Sequence, residues 1–205
     1  MKVEAMLPEE IEKRSFEMIS ELLGEKILDS ENEDVIKRVI HTTADFDYVE
    51  NLFFTQNVVR IIREAIEQGA HIVTDTNMAK AGINKNKLAT FGGDVHCYMG
   101  EAEVIQKAKE RNVTRAVVSM EQALSLPFPL IFAIGNAPTA LLKLCDMIKN
   151  QQIKPIAVIG VPVGFVNVVE SKEILVAADV PSITARGRKG GSNVAAAICN
   201  AILYK

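Results

Sequence analysis

The sequence predicts an α/β fold of three layers, α/β/α, around a mostly parallel sheet, and a unit met three times carries that prediction. "LIFAIGNAPTALLKLCDMIK" runs from an unbroken apolar strand through Gly135 into a helix with Pro138 near its first turn. "KPIAVIGVPVGFVNVVESKEIL" repeats the design with Gly160, Pro162 and Gly164, and "PSITARGRKGGSNVAAAICNAIL" with Gly187, Gly190 and Gly191. Strands without polar alternation, each followed by a helix, suit a parallel sheet covered on both faces. A chain of 205 residues, 48% hydrophobic, can fill one full-sized core, and no linker or low-complexity tract divides it, so residues 1–205 are expected to form one domain.

The elements before these units follow from periodicity and punctuation. Pro8 opens a helix in "PEEIEKRSFEMISELLG", where Ile11, Met18, Ile19, Leu22 and Leu23 share one apolar face with Ser15 and Gly24 ends the run. Ser30 and Glu33 stand at capping-box spacing before "DVIKRVIH", which puts His41 in the last turn of a second helix. "NLFFT" reads as a strand and "QNVVRIIREAIEQG" as a helix closed by Gly69. "HIVTD" is a strand and "VHCYMG" a further one, followed by helical patterns in "EAEVIQKAKER" and "TRAVVSMEQAL".

Composition excludes several function classes. A net charge of −3 argues against nucleic-acid binding by overall attraction to phosphate, while leaving room for a local basic pocket. No apolar run approaches the roughly 18 residues of a membrane span, and the N-terminus turns acidic too early for a signal peptide, so a soluble cytoplasmic protein is expected. Cys97, Cys145 and Cys199 are widely spaced and odd in number, which indicates neither disulfides nor a metal site; each is expected to pack as a small hydrophobe. No G-x-S-x-G nucleophile elbow is present.

In such a fold the turns after the strands line up along one sheet edge, where open α/β sheets bind ligands. Here "GNAP", "GVPVGF" and "RGRKGGSN" are glycine-rich and enter helix N-termini, whose free N–H groups suit anions; the last adds Arg186, Arg188 and Lys189. None follows the Walker order, and no G-x-G-x-x-G opens a first βαβ unit, so a compact polycarboxylate fits this cradle better than a nucleotide. Asn136, Arg188, Lys189 and Gly190 are its binding candidates. Asp75, at a strand end, either faces this ligand edge or caps the turn that follows it. His71 and His96 read as core or edge histidines, and Arg115 and Ser119 as a solvated helix face. His41 ends an apolar run beside Thr42, Thr43, Asp45 and Asp47. Its ring is either a helix-terminal cap complementing the dipole or a proton carrier, with a following carboxylate close enough to approach it.

Six segments in this order carry a resemblance: "RSF" at 14–16, "RVIHTTADFDY" at 38–48, "TDTNMAKAGI" at 74–83, "GNAPTAL" at 135–141, "GVPVGFVNVVESKE" at 160–173 and "GRKGGSNVAAA" at 187–197. Together they resemble precorrin-8X methylmutase, also called precorrin isomerase, and its cobalt-precorrin-8 counterpart. The resemblance implies an α/β homodimer acting late in cobalamin biosynthesis. It implies an isomerase that moves a methyl group between adjacent carbons of a contracted tetrapyrrole, giving hydrogenobyrinate from precorrin-8X or cobyrinate from the cobalt-bearing precursor. It assigns His41 as the acid–base residue and associates Ser15 and Arg38 with substrate. No cofactor or resident metal is implied, because the methyl group stays within the substrate. A Lys-, Ile- and Asn-rich composition leans toward the cobalt-bearing substrate. Two alternatives stand beside it: a flavin- or nucleotide-binding module on a flavodoxin-like sheet, and a tetrapyrrole carrier without catalysis.

Overall fold

Four fully buried strands and two half-buried edge strands build one six-stranded sheet in the computed structural model, which describes residues 7–204. In chain order the strands are β1 (Leu52–Phe54), β2 (His71–Thr74), β3 (Val95–His96), β4 (Leu130–Ile134), β5 (Ala157–Gly160) and β6 (Ser182–Ala185), and they stand in the order β1-β6-β5-β4-β2-β3. All neighbours are parallel except β1 and β6, so the flavodoxin-like arrangement is met, with one antiparallel strand added at an edge.

The helices are α1 (Pro8–Leu23), α2 (Glu33–Thr43), α3 (Tyr48–Asn51), α4 (Val58–Glu67), α5 (Asn77–Gly82), α6 (Lys85–Ala89), α7 (Ala102–Glu110), α8 (Arg115–Gln122), α9 (Pro138–Lys149), α10 (Val168–Val176) and α11 (Ser192–Leu203). Alternation along β4 divides the core. Ile131 and Ala133 face a cluster with α2, α4 and α11, whereas Leu130, Phe132 and Ile134 face one with α8, α9 and α10. The alanine-rich α11 is buried almost throughout, and its small side chains let α2 and α5 lie close along it.

Strand β1 fixes the location of His41. Leu52 pairs with Ala185, the last residue of β6, and the amide of Arg186 donates to the Asn51 carbonyl at 2.8 Å. The chain therefore enters β1 at the edge where the parallel strands end. The end of α2 and the turn after it lie at that same edge. Ala44, in the left-handed region at φ 53°, closes α2 by donating to the Ile40 carbonyl.

Several expectations are corrected. The Ser30–Glu33 capping box is absent: α2 begins after Asn32, whose side chain donates to Asp29. "VHCYMG" supplies only the two-residue β3. On α1 only Ile19 and Leu23 of the apolar face are buried, while Ile11, Met18 and Leu22 remain 51%, 47% and 69% exposed, because α2 covers a narrower strip than the helix offers. Ser119 does not join a solvated face; it is buried, with Arg115 exposed beside it. Cys145 and Cys199 are buried as expected, and Cys97 is half-buried.

Candidate active site

The β2 and β4 strand ends form the switch point of the sheet, where a doubly wound fold opens its crevice. Asp75 fills it. Its buried carboxylate accepts the amides of Gly135, Asn136 and Ala137 at 2.8, 2.8 and 2.6 Å. Burial pushes the carboxyl pKa up, and the three N–H donors oppose the rise. The reading of Asp75 as a cap for the turn that follows it is corrected: there the Thr76 hydroxyl accepts from the Ala79 amide, and Asp75, at the sheet edge, caps the turn after β4 instead. The expected anion cradle at "GNAP" is thereby corrected, since its amides already hold a carboxylate of the chain. The Asn136 side chain stays exposed above the turn. A Cβ on Gly135 would lie 2.7 Å from the Ser192 Cα, so this turn abuts the start of α11, and Thr76 and Ser192 share a hydroxyl hydrogen bond of 2.7 Å.

The cationic turn after β6 is held from three directions. From below, the buried Lys172 ammonium donates to the carbonyls of Gly187 and Lys189 at 2.8 and 2.7 Å, and burial pushes its pKa down to about 8. The amide of Gly164 donates to the Arg188 carbonyl at 3.2 Å. From the side, the Lys189 ammonium donates to both Asp45 and Asp47 at 2.6 Å. Those hydrogen bonds raise the Lys189 pKa well above the usual lysine range and lower that of Asp45. Gly190 is required here: its φ is +159° and a Cβ would fall 2.1 Å from the Val161 carbonyl. Arg188 remains exposed, its guanidinium 6.0 Å from the Phe165 ring centroid. With Phe165 84% exposed and Val163 and Val166 beside it in sequence, the "GVPVGF" turn presents apolar surface next to a free cation. Sequence reasoning missed this apolar surface; a Phe between Gly164 and Val166, just before α10, was its only signal.

His41 stands in the last turn of α2, exposed, with its ring stacked on Phe16 of α1 at 5.4 Å between centroids and 17° between planes. The expected approach of Asp45 or Asp47 to this ring is corrected, because both carboxylates are engaged by Lys189. One turn before His41, the Arg38 guanidinium lies 4.8 Å from the Phe16 centroid and 5.7 Å from that of Tyr204, and pairs with Glu12 at 2.6 Å. These residues border an open hollow of about 480 Å³ between α1, α2 and α11. Ser15, next to Phe16, donates its hydroxyl to the Ile11 carbonyl at 2.8 Å. The structure thus brings Ser15, Arg38 and His41 to one α1–α2 ridge, and the short 44–47 turn ties that ridge to Lys189 and Arg188. Asn136 belongs to a separate turn of the same sheet edge.

The other histidines lie away from this ridge: His71 Nδ1 and His96 Nε2 are 2.8 Å apart, and the His71 ring stacks on Phe128 at 3.9 Å. Among the described residues no group of three or more His, Cys, Asp or Glu side chains could hold a metal ion, and no helix is long and apolar enough to cross a membrane.

The precorrin-8X methylmutase family model matches residues 10–205. The cobalt-precorrin-8 methylmutase of Priestia megaterium is 45% identical over 195 residues, spanning 95% of this chain and 87% of its own. That of Salmonella typhimurium is 43% identical over 203 residues, spanning 96% and 95%. The crystal structure described as precorrin-8x methyl mutase from Thermus thermophilus superposes with a TM-score of 0.86 at 37% identity, covering 95% of this chain and 96% of that one. The quoted segments, the sheet order and these matches over nearly the full length agree, and the chain belongs to the precorrin-8X methylmutase family.

Proposed function

We propose that this chain, acting as a single cytoplasmic domain, moves a methyl group between adjacent carbons of cobalt-precorrin-8 to give cobyrinate, with His41 as the proton donor and acceptor. The observation that carries the proposal is the exposed His41 ring at the carboxyl edge of the sheet, stacked on Phe16 and tied through the 44–47 turn to a cationic turn. A methyl shift within a conjugated macrocycle needs one tautomer and one protonation state more than it needs covalent help. A positioned proton donor supplies these by donating to a ring nitrogen and recovering the proton from the product, a contribution of about 10²–10⁴-fold. Apolar Phe165 and Val166 suit the flat ring and Arg188 suits its peripheral carboxylates. Ser15, Arg38, Asn136 and the backbone at Gly190 complete the proposed binding set. Lys189 takes part with its charge already shared between two carboxylates. The cobalt-bearing substrate is favoured because relatives named for it reach 45% identity, against 38% and 32% for two named for precorrin-8X. The working form is proposed to be a homodimer, supported by the uncovered apolar face of α1 beside the hollow.

Replacing His41 by Asn keeps a hydrogen bond but removes the transferable proton. The expected result is corrinoid binding close to that of the unaltered protein with turnover reduced by about 10²-fold or more. Near-normal turnover with a lowered melting temperature would instead make His41 a helix cap. A carrier without catalysis would bind cobyrinate and convert no cobalt-precorrin-8 in either form.

A further inference from the structure

Lys172 sits on α10, fully buried, and its ammonium meets two carbonyl oxygens and forms no ion pair with a carboxylate among the described residues. A cation taken out of water without a counter-ion carries a desolvation penalty, and two neutral carbonyls offset only part of it. The two carbonyls belong to Gly187 and Lys189, the residues on either side of Arg188.

Peptide planarity gives this arrangement a consequence. The N–H of each residue points opposite to the carbonyl before it. With the Gly187 and Lys189 carbonyls drawn onto the ammonium, the amides of Arg188 and Gly190 are directed away from it. The Arg188 carbonyl accepts from Gly164, which turns the Lys189 amide away from the "GVPVGF" turn. Among the described residues none of these three amides donates to an acceptor of the chain. They stand just before the first turn of α11, whose own leading amides add to the same positive end. The contrast with β4 is instructive. There the turn amides converge on a carboxylate supplied by Asp75, whereas here an ammonium occupies the opposite, carbonyl side and the amides are left open.

We propose that Lys172 is a positioning residue for anion binding: by holding the Gly187 and Lys189 carbonyls it aims the amides of the 187–190 turn, together with the Arg188 guanidinium, at one carboxylate of the substrate. The ammonium, the peptide dipoles and the bound carboxylate then align in series, each polarising the next. The ligand supplies, across two peptide groups, the negative charge that the fold withholds from Lys172. This assignment rests on the reading that the turn receives substrate carboxylates.

The test is an absorbance titration with cobyrinate on Lys172→Met, Arg188→Ala and the double variant, with steady-state kinetics on Lys172→Met. The expected result for Lys172→Met is weaker cobyrinate binding and a higher KM by roughly ten- to a hundredfold, the loss of one charge-assisted hydrogen bond, with kcat changed far less. Arg188→Ala should weaken binding less in the Lys172→Met background than alone, because the turn that aims Arg188 is already released. The wild-type chain gives a second measurement that requires no folded variant: the Lys172 Nζ resonance should shift when cobyrinate is added. Wild-type affinity in Lys172→Met, strict additivity of the two substitutions, or an Nζ signal indifferent to bound cobyrinate would each overturn the role of Lys172. If Arg188→Ala itself binds cobyrinate normally, the carboxylate reading of the turn fails instead.

Discussion

Asp75 and His41 show how differently two residues at one sheet edge could be read. The position of His41 was legible because a 3.6-residue period in "DVIKRVIH" fixes where the last turn falls, and α2 does end just beyond it. Its neighbours were not legible. Proximity in sequence suggested Asp45 and Asp47, but both chose Lys189, more than 140 residues away, because an ammonium offers several donors to two carboxylates at once. For Asp75 the sequence left two roles open, the ligand edge or a cap on the next turn, and the geometry gives a cap on a turn 60 residues away that sequence proximity could not indicate. An Asp75→Asn variant would present an NH2 group to at least one of three converging N–H donors that need an acceptor. The buried site should then lose about 1–3 kcal/mol, read as a lower denaturant midpoint with an unchanged slope. An Asp75→Asn protein as stable as the parent would show that the three amides find acceptors elsewhere.

Among the elements, α1 is where pattern and packing part company. Its apolar residues recur at helical spacing, which predicted a helix and a buried face; the helix is present and most of that face is not buried. Periodicity reports that a face seeks cover and is silent on whether the cover comes from the same chain. Isolated exposed apolar residues are ordinary, but Ile11, Met18 and Leu22 recur along one helix that borders the hollow lined by Phe16 and Arg38. That placement fits a second copy closing the site, with like patches meeting across a twofold axis. Leu22→Asp should therefore shift the sedimentation profile from dimer to monomer and reduce turnover, while the isolated chain keeps its stability within about 0.5 kcal/mol, as expected of an exposed position. A parent protein that sediments as a monomer with full activity would leave α1 unexplained. The short elements escaped reading for a simpler reason. Two or three residues, as in β3 and β1, carry no period, so neither the brevity of the first nor the reversed direction of the second was visible.

Over the whole molecule the parallel sheet was the most legible feature, because each βα unit declares its own direction and right-handed crossovers leave few ways to stack them. What the sequence could not convey was how the carboxyl edge distributes charge. One turn is closed internally by Asp75, which would repel a phosphate placed at the start of α9 and so disfavours a flavin or nucleotide there. The other is propped by a buried lysine, and that asymmetry affects the stability of the entire fold. Burial lowers the Lys172 pKa from 10.5 to about 8, so between those values the unfolded chain holds a proton that the folded chain has released. Unfolding free energy must then rise with pH across this window. The contribution is fully in place above about 10.5 and is lost as pH falls through about 8, a swing of roughly 3 kcal/mol for this one group. Tyr48, whose pKa burial raises above 10, acts in the opposite sense at the alkaline end, which makes Lys172→Met the necessary reference. Denaturant unfolding measured at intervals from pH 7.5 to 10 should show the unaltered protein gaining stability relative to Lys172→Met as pH rises. Parallel curves for the two proteins would mean that the ammonium is as well solvated in the fold as in the unfolded chain. The buried charge invoked for the anion-binding turn would then carry no penalty for a ligand to offset.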